Sequence, residues 1–273
     1  MGVRLHWFLP THGDGRSVVD SAWVSPIGSA NVSREPDIDY LAQVAQAAEG
    51  LGFTGMLTPT GSDFTGEHYA VSDARAFTTP DPVPPLYFGG SSDAGLRVAA
   101  RRADVHLTWG ELPDAVGEKI AKLRKYALEE GRELRFGIRL HVITQDTSAQ
   151  AWEQAQSIHD QIDPAAVAAS QRRFAAGDSE GQRRMAALHG GEIGSSARSL
   201  EIYPNLWAGI GLVRGGAGTA LVGSHTEVAD LIEQYHALGI EEFVLSGYPH
   251  LEEAFWFGEG VRPELHRRGL VAP

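Results

Sequence analysis

Arg139 and His141 stand two residues apart in the apolar run Arg135-Phe136-Gly137-Ile138-Arg139-Leu140-His141-Val142-Ile143. Its period of two reads as a strand and puts the guanidinium and the imidazole on one face. Apolar residues occur at both parities, so neither face is fully solvated. A buried arginine is costly unless it is paired or meets an anion. A structural ion pair with an Asp or Glu elsewhere would meet that need. So would an anionic substrate, for which a cation beside a titratable His is suited.

Other candidates follow predicted strands, where parallel α/β folds gather their chemistry. Tyr87-Phe88-Gly89-Gly90-Ser91-Ser92-Asp93 reads as strand, Gly-Gly, two hydroxyls and a helix start. Gly90, Ser91 and Ser92 could cradle a phosphate at that helix N-terminus, or form a plain turn with a serine cap. Val213-Arg214-Gly215-Gly216-Ala217-Gly218-Thr219 lacks the Gly-Lys-Ser/Thr of a Walker loop. Its alternatives are a mobile lid carrying the Arg214 cation and a flexible surface loop. Ser246-Gly247-Tyr248-Pro249-His250 offers a phenol and an imidazole, and Leu107-Thr108-Trp109-Gly110-Glu111 an indole. A Trp at a strand end packs a core more often than a ligand. His12 follows the first strand, where hydrogen bonding within a loop is the commoner role. The eleven histidines show no His-Glu-x-x-His spacing, so no metal is assigned.

The elements that must position these residues alternate strand and helix. Strands are predicted at Arg4–Leu9, Thr54–Thr58, Leu86–Phe88, Val105–Trp109, Arg135–Ile143 and Phe243–Ser246. Asp37 caps a helix with an apolar stripe of Ile38, Leu41, Ala45, Ala48 and Leu51. Ser92 or Asp93 starts a second helix, and Pro113 sits in the first turn of a third. Residues 149–188 read as a long helical stretch, and 190–223 as mostly loop. Ser224 with Glu227 forms a capping box. This order predicts a parallel sheet with crossover helices in one domain spanning 1–273.

Composition narrows the function. A net charge of −12 without a Lys/Arg-rich run argues against a nucleic-acid partner. There is no cysteine, which excludes disulfides, thiolate metal sites and a Cys nucleophile. No window reaches the length of a membrane span and the N-terminus lacks a signal peptide's apolar stretch, so a cytoplasmic location is expected.

The chain resembles the alkanesulfonate monooxygenases, two-component flavin enzymes of the bacterial-luciferase-like superfamily. The matching stretches begin with Trp7-Phe8-Leu9-Pro10-Thr11-His12-Gly13-Asp14-Gly15, Pro84-Pro85-Leu86-Tyr87-Phe88-Gly89-Gly90-Ser91-Ser92 and Leu107–Glu111. They continue through the Arg139/His141 strand, Asn205-Leu206-Trp207-Ala208-Gly209, the Arg214 segment and Ser246–Ala254. The resemblance implies a TIM-type barrel and desulfonation of an alkanesulfonate to an aldehyde and sulfite. It also implies reduced FMN (FMNH2) from a separate NAD(P)H-dependent FMN reductase, molecular oxygen, and a homo-oligomer. It makes Arg139 and Arg214 the sulfonate holders and His141, Tyr248 and His250 the proton-transfer groups. His12 and Trp109 would line the pocket; Gly90, Ser91 and Ser92 would bind the FMN phosphate.

One departure is specific. In the family a long stretch of barrel follows the strand ending in Thr58-Pro59-Thr60-Gly61. Here Gly61 runs almost at once into Asp63-Phe64-Thr65-Gly66, which resembles the insertion just before Pro84-Pro85. A strand–helix unit takes ~30 residues, so the interval cannot hold two of them. The expectation is an α/β barrel shortened near 61–63, with about six of the eight strands. The second strand should lie beside or facing the Leu86 strand. Two rival readings accompany it: a non-catalytic flavin-binding protein, and an inactive fragment.

Overall fold

The run around Arg139 forms a strand of 11 residues, Arg135–Gln145, in the computed structural model of the chain, which describes residues 2–10, 14, 37–57 and 85–272. In chain order the strands are β1 (Arg4–Phe8), β2 (Gly55–Leu57), β3 (Tyr87–Phe88), β4 (Val105–Trp109), β5 (Arg135–Gln145), β6 (Glu201–Tyr203), β7 (Leu206–Trp207), β8 (Ala220–Ser224) and β9 (Glu242–Ser246). The helices are α1 (Ile38–Gly50), α2 (Asp93–Arg102), α3 (Pro113–Glu129), α4 (Ser148–Asp160), α5 (Pro164–Ala175), α6 (Glu180–Ala187), α7 (His225–Ala237), α8 (His250–Trp256) and α9 (Arg262–Arg267). No helix among the described residues is long and apolar enough to cross a membrane.

The sheet is mostly parallel and β5 is its hub. One edge of β5 pairs with β9, which continues to β1 and β2. The other edge is shared: β4 pairs with Arg135–Arg139, and β8 takes over from His141 to Gln145. Gly110 makes the handover. Its N–H donates to Arg139 O at 3.1 Å, and Thr219 Oγ1 donates to its carbonyl at 2.7 Å. A Cβ there would lie 2.0 Å from Leu140 Cδ2 and 2.4 Å from Thr219 Oγ1, so any larger residue would have to displace both side chains.

The expected α/β architecture of TIM-barrel type is present, with helices covering a sheet that, among the described residues, does not close. Among the described residues β2 and β3 do not pair; β2 lies against β1 and β3 against β4. The loop expected over Asp63–Pro85 lies almost wholly outside the described residues. Among the described residues there are seven parallel strands, not six. The seventh, β8, falls in the segment 190–223 read as loop, which also holds the antiparallel β6 and β7. Its Ala-Leu-Val-Gly-Ser sequence is short and ends in the helix cap, so it carries little alternation of its own.

Strand parity separates two environments. Phe136, Ile138, Leu140 and Val142 point to the helix side, where they join Leu5, Trp7, Phe243 and Leu245 in the main core. Burying each such side chain contributes roughly 1.5–3 kcal/mol. The opposite parity turns Arg135, Arg139 and His141 to the inner face. At the N-terminal end of that face Glu242, fully buried, receives Arg4 Nη1 at 3.3 Å, His6 Nε2 at 3.2 Å, Tyr87 OH at 2.6 Å and a close ion pair from Arg135. Burial pushes the Glu242 carboxyl up, but these donors and charges outweigh it and hold the group down to about 2.

Several local readings need correction. In α1 the buried stripe is Tyr40, Val44 and Ala48, while Ile38 is 79% exposed. The helix is rotated from the expected stripe because its tyrosine packs inward. The helical stretch 149–188 is three helices, broken before Pro164 and again before Ser179, whose side chain caps α6. The caps at Asp37, Ser92 and Ser224 are as read, the last in a full capping box.

Candidate active site

At the C-terminal end of the inner face Arg139 is 4% exposed. Its Nη2 donates to Ser246 Oγ at 2.8 Å and its Nη1 to Leu140 O at 2.6 Å, with the guanidinium 4.5 Å above the Phe8 ring. His141 lies two residues on. Its Nε2 is 3.1 Å from Ala217 O, which only accepts, so Nε2 carries the proton. Nδ1 then accepts from Ser246 Oγ at 2.9 Å. Register makes this chain possible, because β9 sets Ser246 directly opposite His141. Burial above all, and then the Arg139 and Arg214 charges, hold His141 well below its ordinary value, so the ring is neutral near pH 7. Burial, then Arg214, pushes the Arg139 guanidinium down to about 9, still cationic at that pH.

Arg214 joins the same cluster. Its Nη1 donates to Gly215 O at 3.2 Å and to Ala217 O at 3.3 Å, the carbonyl that also takes His141. Its Nε is buried without a hydrogen-bond partner among the described residues. The segment is neither an exposed loop nor a loose lid here. Arg214 is 8% exposed. Helices α5 and α6 pin its surroundings: Ser170 Oγ donates to Val213 O, Gln171 Nε2 to Leu212 O, and Gly216 N to Gln182 Oε1. The sequence showed glycines but not the two helices that fold over them.

Tyr248 and His250 follow β9. The Tyr248 ring stacks on His141 with centroids 5.5 Å apart, and His250 meets Tyr248 edge-on at 5.1 Å. Asp14, buried, takes His250 Nδ1 and the His250 backbone N–H, both at 2.9 Å, and the Tyr40 hydroxyl. Burial raises the Asp14 carboxyl, yet the His250 and Tyr40 bonds outweigh it and keep it low. With Nδ1 donating to Asp14, His250 Nε2 is the ring atom available to exchange a proton.

A second region lies at the ends of β3 and β4. A cavity of about 260 Å³ is lined by Gly89, Gly90, Ser91, Ser92, Leu107, Trp109 and residues 178–181. Trp109 is half-buried and packs against Gly181, where a Cβ would come within 2.9 Å of its ring. Ser92 caps α2 by accepting from Gly95 N at 3.1 Å. Behind Ser91 sits a buried charge network. Lys119 Nζ reaches Ser91 Oγ at 3.3 Å and Thr108 Oγ1 at 2.8 Å, and makes a close ion pair with Glu111. Arg184 Nε donates to the other Glu111 oxygen at 2.8 Å.

The structure therefore brings Arg139, His141, Arg214, Tyr248 and His250 into one buried cluster, and Gly90, Ser91, Ser92 and Trp109 into one cavity. His12 lies outside the described residues. Sequence reading missed Ser246, Asp14, Lys119, Glu111 and Arg184 as members of these groups. Asp14 stood two residues from His12, and Ser246 at the end of a predicted strand, so position alone offered a signal. Nothing linear connects Lys119 with Ser91.

A family model described as luciferase-like monooxygenase matches residues 60–242. Among solved structures, EDTA monooxygenase (EmoA) from Chelativorans sp. BNC1 shares 14% identity over 100% of this chain and 95% of that one, with a TM-score of 0.56. Riboflavin lyase (RcaE), solved with modified FMN and riboflavin, shares 22% over 70% of this chain and 44% of its own, with a TM-score of 0.54. Long-chain alkane monooxygenase (LadA) shares 24% over 70% of this chain and 42% of its own, with a TM-score of 0.52. The chain thus spans less than half the length of these last two proteins. At these identities the likeness is one of fold.

Proposed function

The chain belongs to the luciferase-like monooxygenase family, and on that premise we propose that it is a flavin-dependent monooxygenase whose arginine cluster takes the sulfonate of an alkanesulfonate. One observation carries this reading. Arg139 and Arg214 are buried together and, among the described residues, neither is ion-paired to a carboxylate. Two desolvated guanidiniums of like charge call for an anion, and a planar fork suits a trigonal set of oxygens. His141 is neutral there and adds no competing charge.

Each residue then has a role. Arg139 and the unpartnered Arg214 Nε would hold the sulfonate oxygens. Ser246 and Ala217 fix the His141 tautomer, and Tyr248 covers its ring. His250, oriented by Asp14, would move a proton at Nε2. His12 is placed by resemblance alone at the pocket edge, with Trp109.

Reduced FMN, delivered by an NAD(P)H-dependent FMN reductase, would supply the two electrons needed to activate O2. One oxygen atom would enter the aldehyde and the other would leave as water, while the C–S bond breaks to give sulfite. The residues present fit the phosphate end of that cofactor: Ser91 lines a cavity of about 260 Å³ with a buried ammonium behind it, and Gly90 and Ser92 lead into α2. On this reading residues 1–273 act as one barrel-type domain, a homo-oligomer in the cytoplasm.

The test is sulfite release from an alkanesulfonate with FMN, reductase, NAD(P)H and O2. Release that needs all of them supports the proposal. Tight flavin binding with no sulfite supports instead a non-catalytic flavin-binding protein. The sheet that stays open between β2 and β3 among the described residues favours that second reading.

A further inference from the structure

We infer that Lys119 is the positioning cation for the phosphate of the bound flavin, acting through the Ser91 hydroxyl at the wall of the cavity. This rests on the flavin reading above and assigns to it a residue far from the glycine turn in sequence. The argument begins with charge. The Lys119 side chain is 6% exposed and that of Glu111 5%, so both are shielded from water. Glu111 also receives Arg184, so a single buried carboxylate serves two cations. Glu180 is satisfied by Arg183 through two hydrogen bonds at 2.6 and 2.7 Å. Asp178 stands exposed at the cavity mouth, where solvent screens it. Glu111 is shared between Lys119 and the part-exposed Arg184, so it does not fully cancel the ammonium beside Ser91.

Geometry decides where that charge acts. Lys119 Nζ donates to Ser91 Oγ at 3.3 Å and Thr108 Oγ1 at 2.8 Å, and its third proton goes to Glu111. A lysine can only donate, so Ser91 Oγ accepts from it and must turn its own proton elsewhere. The cavity that Ser91 lines is the place open to that proton. A hydroxyl polarised by an ammonium and aimed into a cavity at the start of α2 is a strong donor to a phosphate oxygen. Lys119 need not touch the ligand; it orients and strengthens the donor that does.

The experiment uses the full chain with two flavins that differ only in the phosphate. FMN and riboflavin, each reduced and kept free of air, are titrated by protein tryptophan fluorescence against the parent, Lys119→Met, Lys119→Arg, and Lys119→Met with Glu111→Gln. The double variant guards against misfolding caused by leaving Glu111 half-paired. The parent should prefer FMN, and inorganic phosphate should compete with FMN. In Lys119→Met that preference should fall about tenfold or more while riboflavin affinity stays within about twofold, and Lys119→Arg should restore it. An unchanged FMN-to-riboflavin ratio in Lys119→Met overturns the inference. So does equal affinity of the parent for the two flavins. Loss of both flavins together in both Met variants makes Lys119 scaffold only, and overturns it as well. A parent that binds neither flavin overturns the flavin reading itself.

Discussion

Strand β5 carries two arginines on one face, four residues apart, in opposite circumstances. Arg135, at the N-terminal end, is met by Glu242, which also gathers Arg4, His6 and Tyr87. Arg139, at the C-terminal end, has a serine, a backbone carbonyl and a phenyl ring, and beside it a second buried arginine. The first arrangement is what a structural arginine looks like: partly buried, with its charge cancelled. The second, among the described residues, leaves positive charge uncancelled in a place water does not reach. Burial of cations is common to both ends, so burial alone does not mark a site. What sets the proposed site apart is that, among the described residues, no carboxylate meets Arg139.

The sharpest way to break this contrast is Arg139→Met. Sulfite release should fall at least about a thousandfold, about 4 kcal/mol of transition-state stabilisation, with the melting temperature unchanged or raised. A variant that keeps its rate would make Arg139 structural like Arg135. Glu242→Gln should do the reverse. It should cost roughly 2–3 kcal/mol in denaturant unfolding, at or below the low end for a broken buried pair because Arg4 and Arg135 keep some water, and leave sulfonate affinity intact. Loss of sulfonate binding with unchanged stability would merge the two ends into one site.

Two smaller effects concern buried titratable groups outside both clusters. His106 is buried with neither ring nitrogen hydrogen-bonded among the described residues, and burial, with Lys119 nearby, pushes it down to about 4. Between its unfolded value of about 6.5 and that folded value, the unfolded chain binds the extra proton. Its contribution to stability is therefore full above about 6.5 and is lost as pH falls toward 4. His106→Leu should flatten that acid slope by about 1.4 kcal/mol per pH unit. Equal slopes in urea unfolding would show that His106 is already hydrated in the folded state.

Glu253 has the opposite sign. Burial pushes it up to about 8, outweighing hydrogen bonds from Gln154, whose Nε2 donates to Oε1 at 2.8 Å, and from the Thr144 backbone. The folded chain keeps this proton where the unfolded chain has lost it, so the contribution is full below about 4.5 and is lost as pH rises through 8. Glu253→Gln should remove that decline and be relatively most stabilising near pH 8. A variant whose stability falls with pH as the parent's does would assign the decline to another group.

How much of this was legible in the chain depends on how local the cause is. The Asp37, Ser92 and Ser224 caps, Pro113 at a helix start and the β5 alternation were readable because each depends on neighbours within a few residues. Strand β8 was missed because its five residues gain their identity from pairing with β5. The Arg214 segment read as loop or lid because its glycines are local, whereas Ser170, Gln171 and Gln182, which pin it, sit 34 to 43 positions before the groups they bond.

The sequence by itself determined that Arg139 and His141 share a face, that a Gly-Gly-Ser-Ser turn opens a helix, and that no thiol chemistry is available. Those follow from bond geometry and composition, which need no partner. Only the tertiary structure decided which arginine goes without a carboxylate among the described residues. It alone also decided that Ser246 links Arg139 to His141, and that Lys119 lies behind Ser91. Electrostatic partnership is a matter of distance and desolvation across strands and helices. Parity sets the direction a side chain leaves the backbone, and the register of β9 and the packing of α3 set what it meets there.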